Sequence, residues 1–169
     1  MNKVIKIVLL LSFILPAVII FLAQLGLFSG RRPTDLGAID NRLKVPSKNP
    51  NSVSSQAHLY SQSETDVEYA RAEPISYKGQ AQIAFVNLKE VIQNFFPEAE
   101  LIEEKENYLR YEFKTNLMKY IDDVEFLLIE NENQNQIHFR SASRLGRKDF
   151  GKNRNRMIQI QNKFLEFTQ

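Results

Sequence analysis

The chain of 169 residues contains no cysteine and only two histidines. Without cysteine it can form no disulfide, no thiolate zinc site and no cysteine nucleophile. His58 and His138 lie eighty residues apart, without the paired spacing that is typical of a metal site. The five glutamates between residues 98 and 106 lack the glycine and the spacing of an EF-hand calcium loop. We therefore expect no metal and no cofactor.

Motifs for phosphate binding and for nucleophilic catalysis are missing as well. Neither G-x-x-x-x-G-K nor G-x-G-x-x-G occurs, and no G-x-S-x-G elbow surrounds the serines of PNSVSSQA at 50–57. Hydroxyl groups in such a loop mostly bond to nearby backbone. No catalytic residue is predicted, and an enzyme built on this chain would have to use carboxylates, lysine or tyrosine.

Charge is balanced overall but polarised along the chain. Lys3 and Lys6 are the only charged residues among the first thirty, which leaves 20 basic and 20 acidic residues in the remainder. A net charge of zero beyond residue 30 argues against nucleic acid as a partner. Residues 98–106 hold five glutamates against one lysine, whereas RSASRLGRKDFGKNRNR at 140–156 holds seven basic residues against one acidic residue.

Residues 7–28 form the only long uncharged apolar run. As a helix this run would be about 33 Å long, enough to cross a hydrocarbon core of roughly 30 Å. Cleavage by signal peptidase after Ala23 or after Gly30 would place Phe21 or Phe28 where a small residue is required. We therefore predict that residues 1–30 are an uncleaved transmembrane anchor, with the membrane as a partner of residues 7–28.

Two rules disagree about the orientation of that anchor. More lysine and arginine residues follow the apolar run than precede it, which favours a cytoplasmic C-terminal side. A short tail with two lysines directly before the first apolar run instead resembles an export signal. We expect a single-pass membrane protein whose soluble domain is on the exported, periplasmic or extracellular, side.

Composition and periodicity divide the remainder. Residues 31–66, rich in proline, serine and asparagine, predict an extended linker that wraps an α+β domain formed by residues 67–169. Apolar stripes predict helices over 80–96 and 152–167. Strands are predicted over 67–77 with an interruption at Pro74, around Leu101 and Ile102, over 107–115, over 123–130 and over 137–143, with a polar turn at 131–136.

In this order the elements predict a two-layer α+β domain: an antiparallel sheet with two helices packed on one face. Within it, the basic segment 140–156 combines the end of a strand, a turn at Gly146 and the start of the last helix.

Three interpretations of the basic segment stay open. In the first, Arg140, Arg144 and Arg154 join strand, loop and helix through Asp149, backbone carbonyls and the acidic residues 98–106 and 122–125. In the second, arginines around a helix N-terminus hold a phosphate, a carboxylate or an anionic headgroup. In the third, the segment contacts nucleic-acid phosphates, which the missing aromatic stacking partners disfavour.

Four segments together resemble the DUF1499 family: RRPTDLGAIDNRL at 31–43, PNSVSSQA, DDVEF at 122–126 and RSASRLGRKDFGKNRNRMIQI at 140–160. The resemblance extends over residues 31–167 and implies an uncharacterised domain that is often found in bacterial envelope proteins. Relatives carry two cysteines near the positions of Val45 and Ser52, so a disulfide in those relatives would fit an exported setting but cannot form here.

The resemblance also implies that the PNSVSS segment packs beside the RSASR strand and the start of the last helix, lining one polar pocket. We expect a non-catalytic envelope protein that uses this pocket to bind an anionic ligand or an envelope protein partner. The alternative is an enzyme of unknown type, such as a hydrolase, with the same Ser/Arg/Asp pocket. The predicted ligand-binding residues are Asn51, Ser54, Ser55, Arg140, Ser143, Arg144, Asp149, Asn153 and Arg154.

Overall fold

A mixed-length antiparallel sheet organises the chain in the computed structural model, which describes residues 2–129 and 135–169. Its strands are β1 (Ser52–Ser54), β2 (Ile75–Ser76), β3 (Ala99–Lys105), β4 (Tyr108–Lys114), β5 (Ile121–Leu128) and β6 (Gln136–Ser143). The helices are α1 (Lys3–Gln24), α2 (Val67–Ala70), α3 (Ala81–Phe95) and α4 (Lys152–Phe167). Strand order is β1-β6-β5-β4-β3, and β2 pairs with β6 beside β1.

Helices α3 and α4 pack together on one face of the sheet, which confirms the predicted α+β class. The apolar stripe of α3 buries Leu88, Val91 and Ile92 among the sheet residues that point the same way. Phe95 is an exception: it is exposed, and its neighbour Phe96 enters the core instead because α3 ends there. The predicted helices thus have the observed bounds to within one residue.

The segment 67–77 differs from the prediction of an interrupted strand. Asp66 accepts a hydrogen bond from the backbone N–H of Tyr69 at 3.1 Å and begins the short helix α2 instead. A side-chain cap of this kind satisfies a free N–H group and favours the first helical turn. Within this segment, β2, directly after Pro74, pairs with β6, and Arg71 forms one isolated bridge with Ser54 of β1. Most of the predicted turn 131–136 lies outside the described residues, while Gln136 already belongs to β6.

Alternation along the strands places apolar residues on the helix face and charged residues on the opposite face. Leu109, Tyr111 and Phe113 of β4 enter the main core under α3 and α4. The opposite face is covered by residues 31–46, here called the strap, which contain little regular structure. Leu43 of the strap is buried against Tyr108 and Leu127, so the strap has a small core of its own.

Helix α1 is long and apolar enough to span a membrane, and a signal sequence has the same length and composition. Among its residues only Ala23 is buried. The end of α1 contacts the domain, because Gln24 Nε2 donates to the backbone oxygen of Leu117 at 2.8 Å. The rings of Phe28 and Tyr120 also contact each other, with centroids 5.7 Å apart.

Candidate functional site

Three neighbouring strands bring six ionisable side chains together on the strap face of the sheet. We call them the sheet-face cluster: Arg110, Glu112, Asp123, Glu125, Arg140 and Arg144. Register explains the grouping, since Arg110 lies opposite Glu125, Glu112 opposite Asp123, and Glu125 opposite Arg140. The two pairs of opposite charge attract each other across the strands, whereas the like-charged Glu112 and Asp123 are held together by Arg144, which bonds to both. All six side chains are nine-tenths or more buried.

Arg144 is the most completely paired member of the cluster. Its Nε donates to Asp123 Oδ2 and its Nη2 to Asp123 Oδ1, both at 2.8 Å, and Nη2 also donates to Glu112. Burial would lower the pKa of Arg144, but hydrogen bonds to Asp123 and Glu112 outweigh it and raise that pKa. Such a two-pronged guanidinium–carboxylate pair is geometrically specific. Arg144 therefore fixes the relative position of β4, β5 and the end of β6.

Glu125 is a second centre of hydrogen bonding in the sheet-face cluster. It is fully buried and accepts hydrogen bonds from Arg140 Nη1 at 3.1 Å, from the Tyr108 hydroxyl at 2.9 Å and from the backbone N–H of Gly37 at 3.0 Å. The last of these bonds comes from the strap. Glu125 thus joins three strands and the strap through one carboxylate.

The strap also reaches the cluster at its other end. Arg32 Nε donates to Glu112 Oε1 at 2.6 Å, although the Arg32 side chain is 57% exposed. Burial would raise the pKa of Glu112, but hydrogen bonds from Arg32 and Arg144 outweigh it, so that pKa is lowered. With Arg32 included, four guanidinium groups face three carboxylates.

Two arginines keep donors that no partner satisfies among the described residues: Arg110 Nε and Nη2, and Arg140 Nε. Arg110 Nη2 lies 3.6 Å from Asp123 Oδ1, which is an electrostatic contact rather than a hydrogen bond. Buried donors without partners are costly. This side of the cluster therefore carries a surplus of positive charge.

A cleft of about 440 Å³ opens beside Glu112 and Arg144 of the sheet-face cluster. Arg32, Glu112 and Arg144 line it, together with Lys114 at the end of β4 and Lys119 in the loop before β5. Neither lysine forms an ion pair within the described part of the chain. The remaining acidic residues that line the cleft are Glu98 and Glu100.

On the helix face, a second group of polar residues surrounds Asn153 of α4. Its Nδ2 donates to the backbone oxygen of Asn51, to Ser143 Oγ and to Asp149 Oδ2, and its Oδ1 accepts from Ser141 Oγ. Asn153 Oδ1 also accepts a hydrogen bond from Arg156 Nη1 at 2.8 Å. We call these residues the Asn153 network: Asn51, Ser141, Ser143, Asp149, Asn153 and Arg156.

Arg156 ties this network to the sheet. Its Nη2 donates to Asp122 Oδ2 at 2.5 Å, and its guanidinium lies 4.7 Å from the ring centroid of Phe113. Both charged side chains are buried. A buried pair of this kind is sensitive to the loss of either partner. Arg156 was not among the predicted site residues.

Asp149 occupies the position at the start of α4 that an external anion would need. It accepts hydrogen bonds from the backbone N–H groups of Gly151 and Asn153, at 3.0 and 2.9 Å, and from the Tyr69 hydroxyl at 2.6 Å. Burial would raise the pKa of Asp149, but these hydrogen bonds outweigh it and lower that pKa. Burial, and then the bond to Asp149, raise the pKa of Tyr69 to about 12. The chain's own carboxylate therefore fills the predicted anion position.

Ser54, Ser55 and Arg154 hold segments of backbone in place. Ser54 Oγ donates to the Phe139 oxygen at 3.1 Å, and Arg154 donates to the backbone oxygens of Tyr69 and Arg71. Ser55 Oγ lies 3.2 Å from His138 Nδ1 but also accepts the Phe139 N–H at 2.9 Å. The bond from the Phe139 N–H holds the buried hydroxyl of Ser55 against strand β6, so that Ser55 has a structural role.

The packing that we expected is confirmed, but the nine residues do not share one pocket. Strand β1 pairs with β6, and Ser143 N–H donates to the Asn51 oxygen at 3.0 Å. The sheet, however, separates the Asn153 network from Arg140 and Arg144, because successive residues of a strand point to opposite faces. Arg140 and Arg144 pair with Glu125 and Asp123, which confirms the predicted partners in 122–125. The further partner of Arg144 is Glu112 and not a residue of the acidic run 98–106.

The sequence interpretation also missed Arg110 and Glu112 of the sheet-face cluster, and Tyr69, which donates to Asp149 of the Asn153 network. The alternation in NYLRYEFKT indicated that Arg110 and Glu112 point away from the core, and they do. The alternation does not indicate that a strap covers these two residues. The signal that was available is charge of both signs at matching positions on three consecutive strands.

These features define a class of protein: an α+β domain with a strapped, ion-paired sheet face, preceded by one apolar helix. The chain belongs to the DUF1499 family, described as "Protein of unknown function", whose model matches residues 42–164. Comparison with curated proteins found no match, and comparison with solved structures found none either. The match includes the sheet-face cluster and the Asn153 network but begins after most of the strap.

Proposed function

We propose that this chain is a single-pass membrane protein whose exported α+β domain binds a small anionic ligand without catalysing its conversion. The observation that carries the proposal is the cationic surplus around the cleft of about 440 Å³. Four cationic side chains line that cleft against three carboxylates, and the two lysines have no ion partner within the described residues. A bound anion would balance this charge.

The cleft combines a buried, ion-paired wall with cationic groups at its open edge. Arg144 and Glu112 are buried and held by the sheet, whereas Arg32, Lys114 and Lys119 lie at its more open edge. Arg32 uses its Nε for Glu112, which leaves its remaining N–H groups for a ligand oxygen. Guanidinium and ammonium groups converging on one cavity suit a carboxylate or a phosphate group.

The arginines behind the cleft add to its field. Arg110 Nη2 lies 3.9 Å from Glu112 Oε1, so its unsatisfied positive charge is close to the cleft wall. Clefts with charge of one sign and low-dielectric walls focus the electrostatic potential. Of the predicted ligand-binding residues, the proposed site uses Arg144, which lines the cleft, whereas Arg140 lies behind it. The members of the Asn153 network instead serve to hold α4 and the loop before it.

An anion titration tests the proposal. With the full chain in detergent micelles, we expect inorganic phosphate or citrate to raise the melting temperature of the protein in a saturable manner. The double substitution Lys114→Gln and Lys119→Gln removes two charge-assisted contacts. It should weaken the apparent affinity at least about a hundredfold, since such contacts contribute about 1.5–3 kcal/mol each and two of them are lost.

The matched control is Lys78→Gln with Lys105→Gln, which removes the same charge from exposed lysines that do not line the cleft. This control should bind as the wild type does. Equal losses in both double variants would mean that only net charge matters, and an absence of saturable stabilisation by either anion would reject the ligand class.

Orientation has a separate test. The two lysines before α1 and the resemblance to envelope proteins support an exported domain. A reporter that is active only after export should therefore be active when fused after Gln169, and a reporter that functions only in the cytoplasm should not. The fusion should stay in the membrane fraction at full length, because α1 is proposed to remain uncleaved. The reverse pattern of reporter activity would put the domain, and its ligand, in the cytoplasm.

A further inference from the structure

We propose that the domain rests on the bilayer surface through an exposed basic and aromatic patch at the end of α1, and that this patch binds anionic lipid headgroups. We call it the docking surface: Leu117, Tyr120, Leu145, Arg147, Lys148, Phe150 and Lys152. The inference rests on the proposed membrane insertion of α1, but not on the anion-binding cleft.

Three segments that are distant in sequence meet where α1 ends. The loop 115–120 receives Gln24 at its Leu117 oxygen, and Ser29 Oγ lies 3.4 Å from the Lys119 oxygen. The loop after β6 approaches equally closely: a Cβ atom on Gly30 would lie 2.8 Å from Arg144 Cβ. Gly30 also has a φ of +69°, which a residue with a side chain rarely adopts. The docking surface is therefore adjacent to the proposed exit point from the membrane.

Phe150 is the most unusual residue of this surface. Its side chain is 93% exposed, and its φ of 54° lies in the left-handed region, which is unfavourable for a bulky residue. No burial within the chain offsets this strain. A phenylalanine held in this way gains stability if its ring enters an apolar phase, which the interfacial region of a bilayer provides.

Phe150 is not alone in its exposure. A cavity of about 400 Å³ lies beside it, lined by Phe28 and Tyr120 and by Leu145. Leu117, in the loop that contacts Gln24, is also more than half exposed. Apolar side chains that cluster next to a membrane helix are expected to face the interface rather than water.

The charge of the same region complements an anionic surface. Four exposed basic residues lie in this region outside the cleft, Arg31, Arg147, Lys148 and Lys152, and Asp149 is the single acidic residue within 25–32, 114–121 and 144–152. That single carboxylate is already satisfied by Tyr69 and by the start of α4. Lys148 and Lys152 are exposed at the edge of the cavity. Basic groups near a bilayer are attracted by anionic headgroups.

Insertion of α1 favours this docking further. Because the loop from Gln24 to Gly30 is only a few residues long, the docking surface cannot move far from the bilayer. Its encounter with lipid is then an intramolecular event with a high effective concentration. Modest attraction is sufficient under these conditions. The proposed partner is accordingly the host bilayer and not a second membrane.

Tryptophan fluorescence tests the docking directly, because the chain contains no tryptophan. The variant Phe150→Trp, in the full chain reconstituted into phosphatidylcholine vesicles with phosphatidylglycerol, should show a blue-shifted emission that brominated lipids quench. The control variant Ile83→Trp places the probe at a half-exposed position on the first turn of α3. Its emission should remain typical of water and be insensitive to brominated lipid.

The charge contribution is measured in the Phe150→Trp background. Adding Lys148→Gln and Lys152→Gln should lower the ratio of docked to undocked domain roughly fivefold for each charge removed. The same ratio should fall in vesicles of phosphatidylcholine alone. Lys78→Gln with Lys105→Gln, which lie outside the docking surface, should leave it unchanged.

The outcomes separate this inference from the proposed function. If the protein resists alkaline carbonate extraction but Phe150→Trp behaves as Ile83→Trp does, the docking is wrong and the anchor stands. Release by carbonate would reject the anchor, and the docking with it. A blue shift that follows the protein-to-lipid ratio instead of lipid charge would mean that a second copy of the chain covers the patch, which also overturns the proposal.

Discussion

Glu125→Ala should lower the free energy of unfolding by about 3–5 kcal/mol, the range for breaking a buried ion pair from one side. The carboxylate is fully buried and binds Arg140, Tyr108 and the Gly37 N–H. Its removal leaves a guanidinium without its counter-charge and two further donors without an acceptor. Denaturant unfolding of the full chain in micelles, followed by far-ultraviolet circular dichroism, measures the effect.

Glu104→Ala is the matched control. Glu104 forms an ion pair with Lys89 on the exposed side of β3, with about half of its side chain accessible. A surface pair of this kind contributes at most about 1 kcal/mol. If the two variants lose equal stability, the sheet-face cluster does not stabilise the fold through burial.

The same substitution should release the strap. Gly37, near the middle of the strap, donates to Glu125. On either side of it Arg32 donates to Glu112, and Leu43 packs on Tyr108 and Leu127 and donates its N–H to Gln56. We therefore expect limited trypsin digestion to cut Glu125→Ala within residues 31–46 faster than it cuts Glu104→Ala. Fast cleavage in one variant and not in the other would link the cluster to the strap specifically.

Asn153→Ala should lower the free energy of unfolding by about 3 kcal/mol. The side chain is fully buried and bonds to four other residues of its network and to one backbone oxygen near β1. An unsatisfied buried polar group costs about 1–3 kcal/mol, and this substitution leaves more than one. Water that enters the vacated space would reduce the loss.

Asn155→Ala provides the comparison within the same helix. Asn155 is exposed two residues further along α4, where alanine has the better helix propensity. Its substitution should change the stability by less than about 1 kcal/mol, with a small increase expected. A loss for Asn153→Ala as small as that for Asn155→Ala would show that the polar network does not hold α4 to the sheet.

Both predictions concern residues whose role in the structure differs from the role that the sequence interpretation gave them. Asn153 was predicted as a ligand-binding residue, and the structure gives it five internal contacts. Glu125 was considered only as part of an acidic segment. The chemistry of a side chain indicates which kinds of group it can bind, but the fold determines which of those groups lie next to it. Local patterns cannot distinguish an internal acceptor from an external ligand.

The long helices and strands could be predicted from the periodicity of apolar residues. The helix over 152–167 has the observed bounds, and the strand over 107–115 differs by one residue at each end. Long regular patterns are reliable because many apolar residues must agree on one face. The interrupted strand predicted over 67–77 is present only at Ile75–Ser76, after Pro74. Before Pro74 the prediction was wrong, because the capping residue Asp66 outweighed the strand propensity of a short stretch.

By itself the sequence determined that this chain has one apolar N-terminal helix, an α+β domain and no cysteine chemistry. These conclusions depend on composition and on the spacing of neighbours along the chain. The tertiary structure alone decided that the strap covers a charged sheet face, that Asp149 fills the start of α4, and that Phe150 is left exposed beside α1. Each depends on contacts between segments far apart in sequence, about which local periodicity carries no information.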